Sequence, residues 1–553
     1  MNISGLKNLK RYKVKKMVGD LDYQQIRTSS TPLTKQELQY CINDVLIVVA
    51  YIQELIERYG SIAKLPLTKT GFVRNYCREC CLKVKKGDKS NKYRIYRNLM
   101  NGLILQKDEY ILCREAFTGG FTHANPYFVK RKIPNVTSFD ECSAYPYVMI
   151  AEKFPMSKPQ KINITSDKIF DDCILNYCCM FRATFKKIKA TFKIDNYISS
   201  SHCRDLKGGL FNNGRVVQAD ELTITLTEQD YFIIYATYSW EECEIYDFYR
   251  FEKNYLPSDF VKGILDLYKN KTELKGVYGK EEVYLESKER LNACYGMTVT
   301  DICREDVKYD NFHLWKSEIP NINDALSKNN KSVKRFLYYP WGVWVTAYAR
   351  MNLWTAILEF GEDYIYSDTD SVKVINADKH KDFIEQYNNT VVKKLNAAMR
   401  YHGFDIELTR PKTIKGVSKQ LGIWENEGTY EYFKTLGAKR YMVKEENILD
   451  GEYDYSLTVA GLNKHKVIPY MLEQYGDDIF AYFEEELHIP AEYTGKLTHT
   501  YIDDEQEGYI KDYLGKTGYY HELSSVHLEP ADYMLDITED FLNYILGITE
   551  DYI

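Results

Sequence analysis

A chain of 553 residues is too long for one ordinary hydrophobic core, so several subdomains are expected. Its 44% hydrophobic and 27% charged residues exclude a disordered chain and describe a globular one. The net charge of −6 is unevenly placed: residues 471–553 hold 20 acidic side chains and 3 lysines, which leaves 1–470 at +11. A basic body suits a polyanionic partner, and an acidic segment beside it either tunes that binding or solubilises the chain.

The N-terminus MNISGLKNLKRYKVKK is basic but has no apolar stretch or cleavage site, so no export signal is predicted and the chain is expected in the cytoplasm. The longest apolar run, 45–52, is too short to cross a bilayer, so no membrane partner is expected. Helical apolar spacing predicts a helix over 35–58, followed by a basic stretch over 67–100. Thirteen cysteines form an odd set and are read as reduced thiols. Cys77, Cys80 and Cys81, with Cys113 further on, lack the second paired cluster that a zinc site needs.

A Gly-Gly loop lies in 116–126, AFTGGFTHANP, and 136–150 reads as a strand ending near Pro146. Residues 160–255 alternate aromatic and β-branched positions, which predicts an antiparallel β insertion. Two helices follow at 258–273 and 280–296, joined by a Gly-containing turn, and 299–338 is polar and reads as a long loop. A helix over 341–360, a strand over 364–374 and a helix near 380–402 come next, and 425–553 mixes strands with short helices. The pattern is α+β, with strands carrying the acidic residues. The 49 tyrosines, interleaved with Lys and Arg, suit stacking on bases.

Three segments share one chemical theme. In YIYSDTDSVKV, Asp368 and Asp370 are two apart, so on a strand both face one side, and two like charges at that range need a cation. In SFDECSAYP, Asp140 ends an apolar strand run; on a neighbouring strand it and Asp370 can hold two divalent ions, the geometry of in-line phosphoryl displacement. Mg²⁺ suits such a site because it combines a few carboxylates with substrate phosphates. In SKERLNACYGM, Lys288, Asn292 and Tyr295 fall at i, i+4 and i+7 on one helix face. In LGAKRYMV, Lys439 and Tyr441 share a strand face and can meet a phosphate and its sugar.

In this order the segments resemble the family B DNA polymerases, in the protein-primed branch of small tailed phages, adenoviruses and linear plasmids. Asp140 to Pro146 is similar to Asp-x-x-Ser-Leu-Tyr-Pro, with Ala144 in place of Leu. Residues 288–296 are similar to Lys-x-x-x-Asn-Ser-x-Tyr-Gly, with Ala293 in place of Ser. Residues 366–371 meet Tyr-x-Asp-Thr-Asp-Ser in full, and Lys439-Arg440-Tyr441 meets Lys-x-Tyr.

The resemblance implies a right-hand polymerase fold of palm, fingers and thumb, with a remnant of an RNase H-like 3′→5′ exonuclease domain. Asp140, Asp368, Asp370 and Lys439 would be catalytic. Asp140, Asp370 and the backbone carbonyl of Glu141 would ligate two Mg²⁺ ions, for which Mn²⁺ can substitute. Tyr145 would exclude a 2′-hydroxyl, Lys288 and Lys271 would hold the triphosphate, and Asn292 and Tyr295 would line the nascent base pair. Tyr441, Arg350 and the loop of Gly119 and Gly120 would bind DNA, although Phe117 replaces the loop's usual Tyr.

The implied division is exonuclease remnant 1–62; linker and first palm part 63–154; a terminal-protein-contacting insertion 155–257; fingers 258–298; a strand-displacement insertion 299–339; second palm part 340–424; and thumb 425–553 with its acidic segment. Tyr40 and Asp44 resemble the third exonuclease motif and Lys10 an auxiliary lysine, while Asp20 and Asp22 fall in the wrong order for the earlier motifs. No proofreading is therefore expected from this chain. The implied partners are primer and template DNA, dNTPs and a terminal protein, acting on a monomer in the cytoplasm of a host cell. A reverse transcriptase would show adjacent aspartates and no Lys-x-x-x-Asn helix; the alternative from another class is a non-catalytic DNA-binding remnant.

Overall fold

The computed structural model describes residues 32–66, 68–84, 91–309, 315–446, 453–476, 478–511 and 517–550, together with Met17. Lys10, Asp20 and Asp22 lie outside the described residues. Helix α1 (Lys35–Tyr59) begins at Thr34, whose hydroxyl accepts from the Glu37 N–H while the Glu37 carboxylate accepts from the Thr34 N–H; it ends at Gly60, at φ +82°. Leu38, Ile42, Val45, Leu46 and Val49 form an exposed stripe along it. Among the described residues it is the one helix long and apolar enough to cross a membrane, so length and composition admit a span that the 45–52 run alone excluded.

The stretch read as merely basic folds into α2 (Lys69–Leu82) and a second helix, Lys92–Gly102. Helix α3 (Lys107–Ala116) leads through the Gly-Gly loop to strands β1 (Thr122–Ala124) and β2 (Ile133–Glu141). The strand expected to run to Pro146 stops at Glu141. Ser143 turns the chain at φ +57°, and Pro146 sits in the first turn of α4 (Ala144–Ala151), where its missing N–H is no loss.

The expected antiparallel insertion is present: β3 (Cys178–Ala190) is flanked by β4 (Arg215–Thr227) and by β5 (Glu242–Phe251), with α5 (Glu228–Thr237) against them. The Arg182 guanidinium ties this sheet to α3 through Glu115, at 2.9 Å. Helices α6 (Ser258–Leu274) and α7 (Glu281–Gly296) pack on each other and on α2, joined by a turn with Gly276 and Gly279 at positive φ. The polar 299–338 stretch is not a loop throughout. It holds a hairpin, Asp306–Tyr309 with Trp315–Glu318, and a helix, Ile322–Lys331, started by the Asn321 side chain accepting from the N–H of Asn323.

Helix α8 (Tyr339–Phe360) is apolar all round and is the buried spine of the molecule. After it come β6 (Tyr364–Asp368), β7 (Ser371–Val374), α9 (Lys381–His402), β8 (Trp424–Gly437), β9 (Arg440–Glu446) and β10 (Tyr453–Val459). One antiparallel sheet results, in the order β1–β6–β7–β2–β8–β9–β10. Pleating divides its residues: Phe139, Val372 and Val374 join the core with α8, where Phe139 stacks on Phe360 at 6.2 Å. Ser138, Asp140, Ser371 and Lys373 take the other face. The architecture is α+β.

Beyond β10 a long hairpin, Leu497–Lys511 with Thr517–Pro530, precedes α10 (Glu539–Glu550). Part of the acidic segment serves as struts rather than as a free charged face. Glu485 accepts from Lys130 at 2.7 Å, Asp478 from Lys132 at 3.0 Å, and Glu484 from the buried Lys434.

Candidate active site

Strands β2 and β7 pair Ser138 with Lys373, Phe139 with Val372 and Asp140 with Ser371, so the end of β2 meets the start of β7. The chain between Asp368 and Ser371 is not continuous strand. Thr369 adopts φ +60° and reverses it, so Asp368 ends β6 and Asp370 lies in a two-residue turn. The two carboxylates therefore do not share a strand face; the expectation failed because no glycine marked this turn. The Glu141 N–H donates to the Asp370 carbonyl at 2.7 Å and clamps the turn to the end of β2. Residues 230 positions apart are thereby juxtaposed.

Burial pushes the Asp140 carboxyl up to about 7, with Asp370 and Glu427 adding to the shift. Burial likewise pushes Asp370 up to about 6, with Asp368 the next cause. The donor set of such a pair fits a hard divalent cation. Among the described residues no three or more His, Cys, Asp or Glu side chains gather as a closed metal cage. The Glu141 side chain points away from the pair, fully buried, with the Asn352 amide 3.5 Å away; burial holds its carboxyl well above the usual range.

Asp368 has other partners. It accepts from Lys439 Nζ at 2.6 Å, Thr122 Oγ1 at 2.9 Å and Thr369 Oγ1 at 3.1 Å. Lys439 is not on a strand beside Tyr441, as expected, but in the β8–β9 turn at φ +59°. Its N–H donates to the Tyr366 hydroxyl at 3.0 Å, and Tyr441 packs on the Tyr366 ring at 5.1 Å.

Across from the carboxylates, Lys271 Nζ donates to Ser143 Oγ at 2.9 Å; burial lowers its pKa, and Lys288 nearby adds to the effect. Lys288 and Asn292 are exposed on α7, and Tyr295 packs against Tyr145 with tilted rings whose centroids are 4.4 Å apart. The spacing-based helix face is thus present and turned toward α4.

The Gly-Gly loop touches the turn directly. A Cβ on Gly120 would lie 2.7 Å from Thr369 Cγ2, and the Thr369 N–H donates to the Phe121 carbonyl at 2.7 Å. Gly119 borders open space. Arg350, expected as a DNA contact, is 1% exposed, so it cannot reach DNA. Its guanidinium donates to the Thr118 and Gly119 carbonyls, to Tyr197 Oη at 2.7 Å and to Asp230 Oδ1 at 2.5 Å, holding the loop from behind.

Tyr40 and Asp44 sit one turn apart on α1. Cys77 and Cys81 are buried free thiols on α2, Cys77 hydrogen-bonded to the Cys294 thiol of α7, and Cys113 rests on Met180 at 3.4 Å.

Lys373 and Glu427 escaped the sequence reading. Lys373 is buried beneath the carboxylates and donates from Nζ to Ser138 Oγ at 2.8 Å, with Glu427 3.4 Å from the same hydroxyl. Burial lowers its pKa while the surrounding acids oppose the shift. Strand alternation from Ser371 would have put Lys373 on this face; Glu427 is the extra residue of a bulge between Asn426 and Gly428, which sequence periodicity does not reveal.

A model of the family described as DNA polymerase type B, organellar and viral, matches residues 3–389. The chain is 25% identical over 444 residues to the DNA polymerase of Bacillus phage Nf and 24% identical over 447 residues to that of Bacillus phage phi29, in both cases over 78% of this chain. It spans 64% of the length of these relatives. In fold it is similar to phi29 DNA polymerase in an orthorhombic crystal form, with TM-score 0.60 and 16% identity over 97% of this chain and 78% of that one. It is also similar to that polymerase complexed with primer-template DNA and incoming nucleotide substrates, with TM-score 0.59 and 17% identity over the same shares.

Proposed function

The chain belongs to the type B DNA polymerases of organelles and viruses, and we propose that it carries out template-directed DNA synthesis, transferring a nucleotide from a dNTP to a primer 3′-hydroxyl or a terminal-protein hydroxyl. The observation that carries the proposal is the clamp between β2 and the Thr369–Asp370 turn, which sets two half-buried carboxylates beside Lys271 and the Tyr145–Tyr295 pair.

Asp140 and Asp370 would hold divalent metal, Mg²⁺ or Mn²⁺. When bound, it supplies a lowered pKa for the attacking hydroxyl and charge stabilisation for the leaving pyrophosphate. The chain's own groups do the rest. Lys288 and Lys271 neutralise the triphosphate from the α6–α7 side. The Tyr145 ring, held by Tyr295, forms the floor under the sugar and refuses a 2′-hydroxyl. Asn292 lines the base pair, and Lys439 offers a primer phosphate the charge it otherwise gives Asp368. The backbone of the Gly-Gly loop guides the template to the turn it touches.

In this proposal the sheet is the palm, α6 and α7 the fingers and the chain beyond β10 the thumb, which shortens the thumb expected over 425–553 because β8, β9 and β10 join the palm sheet. Replication of a viral or linear-plasmid genome inside a host cell and priming by a terminal protein are parts of the same proposal. Primer extension with Mg²⁺ and dNTPs tests it. Extension is expected from the native chain and not from Asp370→Ala, while both retain primer-template binding; equal extension by the two would refute the metal assignment. A non-catalytic DNA-binding remnant would bind primer-template without extending it.

A further inference from the structure

A cavity of about 730 Å³ opens on the reverse face of the palm, between the base of the β insertion and helices α8 and α9. That volume lies within the range of small-molecule sites. Its relation to the catalytic face follows from strand alternation. Asp140 faces the metal site, Glu141 faces the opposite way, and the Asn352 amide 3.5 Å from Glu141 belongs to the cavity wall.

The wall is cationic. Lys394 is paired with Glu152 at 2.6 Å, and that pair is neutral. Lys253 donates to the Leu175 carbonyl at 3.0 Å, and Lys153 lies 5.7 Å from the Tyr255 ring centroid. Among the described residues neither ammonium is paired with a carboxylate. The cavity therefore presents two uncompensated positive charges beside the rings of Tyr255 and Tyr387 and the amide of Asn352. Ammonium groups fit a phosphate, tyrosine rings offer a stacking surface, and an amide can read a polar edge.

We propose that this cavity is a second nucleotide site, separate from the dNTP site, which takes a nucleoside monophosphate or the 5′-phosphorylated end of a single strand. Lys153 and Lys253 meet the phosphate and Tyr255 stacks on the base. The site does not depend on the polymerase reading, because none of its residues belongs to the catalytic face.

The test titrates the full chain with the fluorescent mononucleotide etheno-dAMP in EDTA, where divalent metal cannot support triphosphate binding at the Asp140–Asp370 pair. Saturable binding is expected, at least tenfold weaker in Lys153→Ala/Lys253→Ala and in Tyr255→Ala, with primer extension unchanged in both. Because Lys253 also holds the Leu175 carbonyl, Lys153→Glu alone gives a second variant, with the same loss expected. Competition by a 5′-phosphorylated trinucleotide at lower concentration than dAMP assigns the site to strand ends, and the reverse order assigns it to free nucleotide. No binding by the native chain, unchanged binding in the variants, loss of binding in Lys288→Ala, or equal competition by oligoglutamate would each overturn the proposal. Primer extension, read separately, reports on the polymerase reading alone.

Discussion

Lys439 reaches out of the β8–β9 turn to lie 2.6 Å from Asp368 at the end of β6, so the two aspartates of YSDTDS are electrostatically unequal. Asp368 is held in an ion pair, whereas among the described residues Asp140 and Asp370 have none and feel the nearby charge of Lys373. Asp370→Ala is accordingly expected to lower kcat for primer extension by about 10³-fold, the upper range for losing one preorganised charge-stabilising group. Asp368→Ala should lower it less, since the Lys439 ammonium remains to be met by primer phosphate. Equal loss in the two variants would contradict this division of roles.

The same lysine supplies a prediction about binding. Lys439→Ala removes one charge-assisted contact, worth about 1.5–3 kcal/mol, and should weaken primer-template binding by about 10- to 100-fold. Fluorescence anisotropy on a labelled primer-template measures the change. Affinity for dNTP should stay near its native value.

The buried pair also makes metal-free stability depend on pH. Both folded-state values, about 7 for Asp140 and about 6 for Asp370, stand above the ordinary 3.8, so folding favours the protonated forms. The stability they contribute is full below about pH 4 and is lost as pH rises through 6 and 7. In EDTA the Tm should fall between pH 5 and 8, and Asp140→Asn should flatten that fall. At pH 8, Mg²⁺ should raise the Tm of the native chain and leave Asp140→Asn nearly unmoved. Thermal scans across this range decide the matter, and a flat native profile would remove the electrostatic argument for a cation here.

Tyr145 lies against Tyr295 at 4.4 Å, which fixes the ring as a wall rather than a mobile flap. Tyr145→Ala should admit ribonucleotides, improving their kcat/KM relative to deoxynucleotides by about 100-fold, the scale of a pocket that rejects one extra group sterically. Unchanged discrimination would exclude Tyr145 as the selective group.

Two positions test how the template loop is held. Gly120→Ala would place a methyl 2.7 Å from Thr369 and shift the turn that carries Asp370, lowering kcat; adding Thr369→Gly, which suits φ +60°, should restore part of it. Arg350→Met leaves Asp230 buried without its partner and should cost about 3–5 kcal/mol of stability in denaturant titration. Arg350→Lys keeps the charge but not the fork that spans Asp230, Tyr197 and two carbonyls, so it should rescue only partly.

Local rules made much of this legible in advance. The helices expected over 35–58, 258–273 and 280–296 are Lys35–Tyr59, Ser258–Leu274 and Glu281–Gly296, because apolar periodicity and caps act within a few residues. The carboxylates at 140, 368 and 370 stood out for the same reason: each sits in a short apolar run where an acid has no packing purpose. Harder to read were features whose local signal is weak or misleading, such as Pro146 inside a helix, the reversal at Thr369 and the helix Ile322–Lys331 within a polar stretch.

The sequence by itself determined which acids, lysines and tyrosines the chain brings to the proposed phosphoryl-transfer site, and their order along it. Tertiary structure alone decided how they divide the work. Asp368 is paired by a lysine 71 residues away, Arg350, expected to contact DNA, is sealed beneath the Gly-Gly loop, and Lys373 is buried under Asp140 and Asp370. The physical reason is that burial and charge compensation depend on partners brought by non-local strand pairing. No window of sequence contains both halves of such a contact.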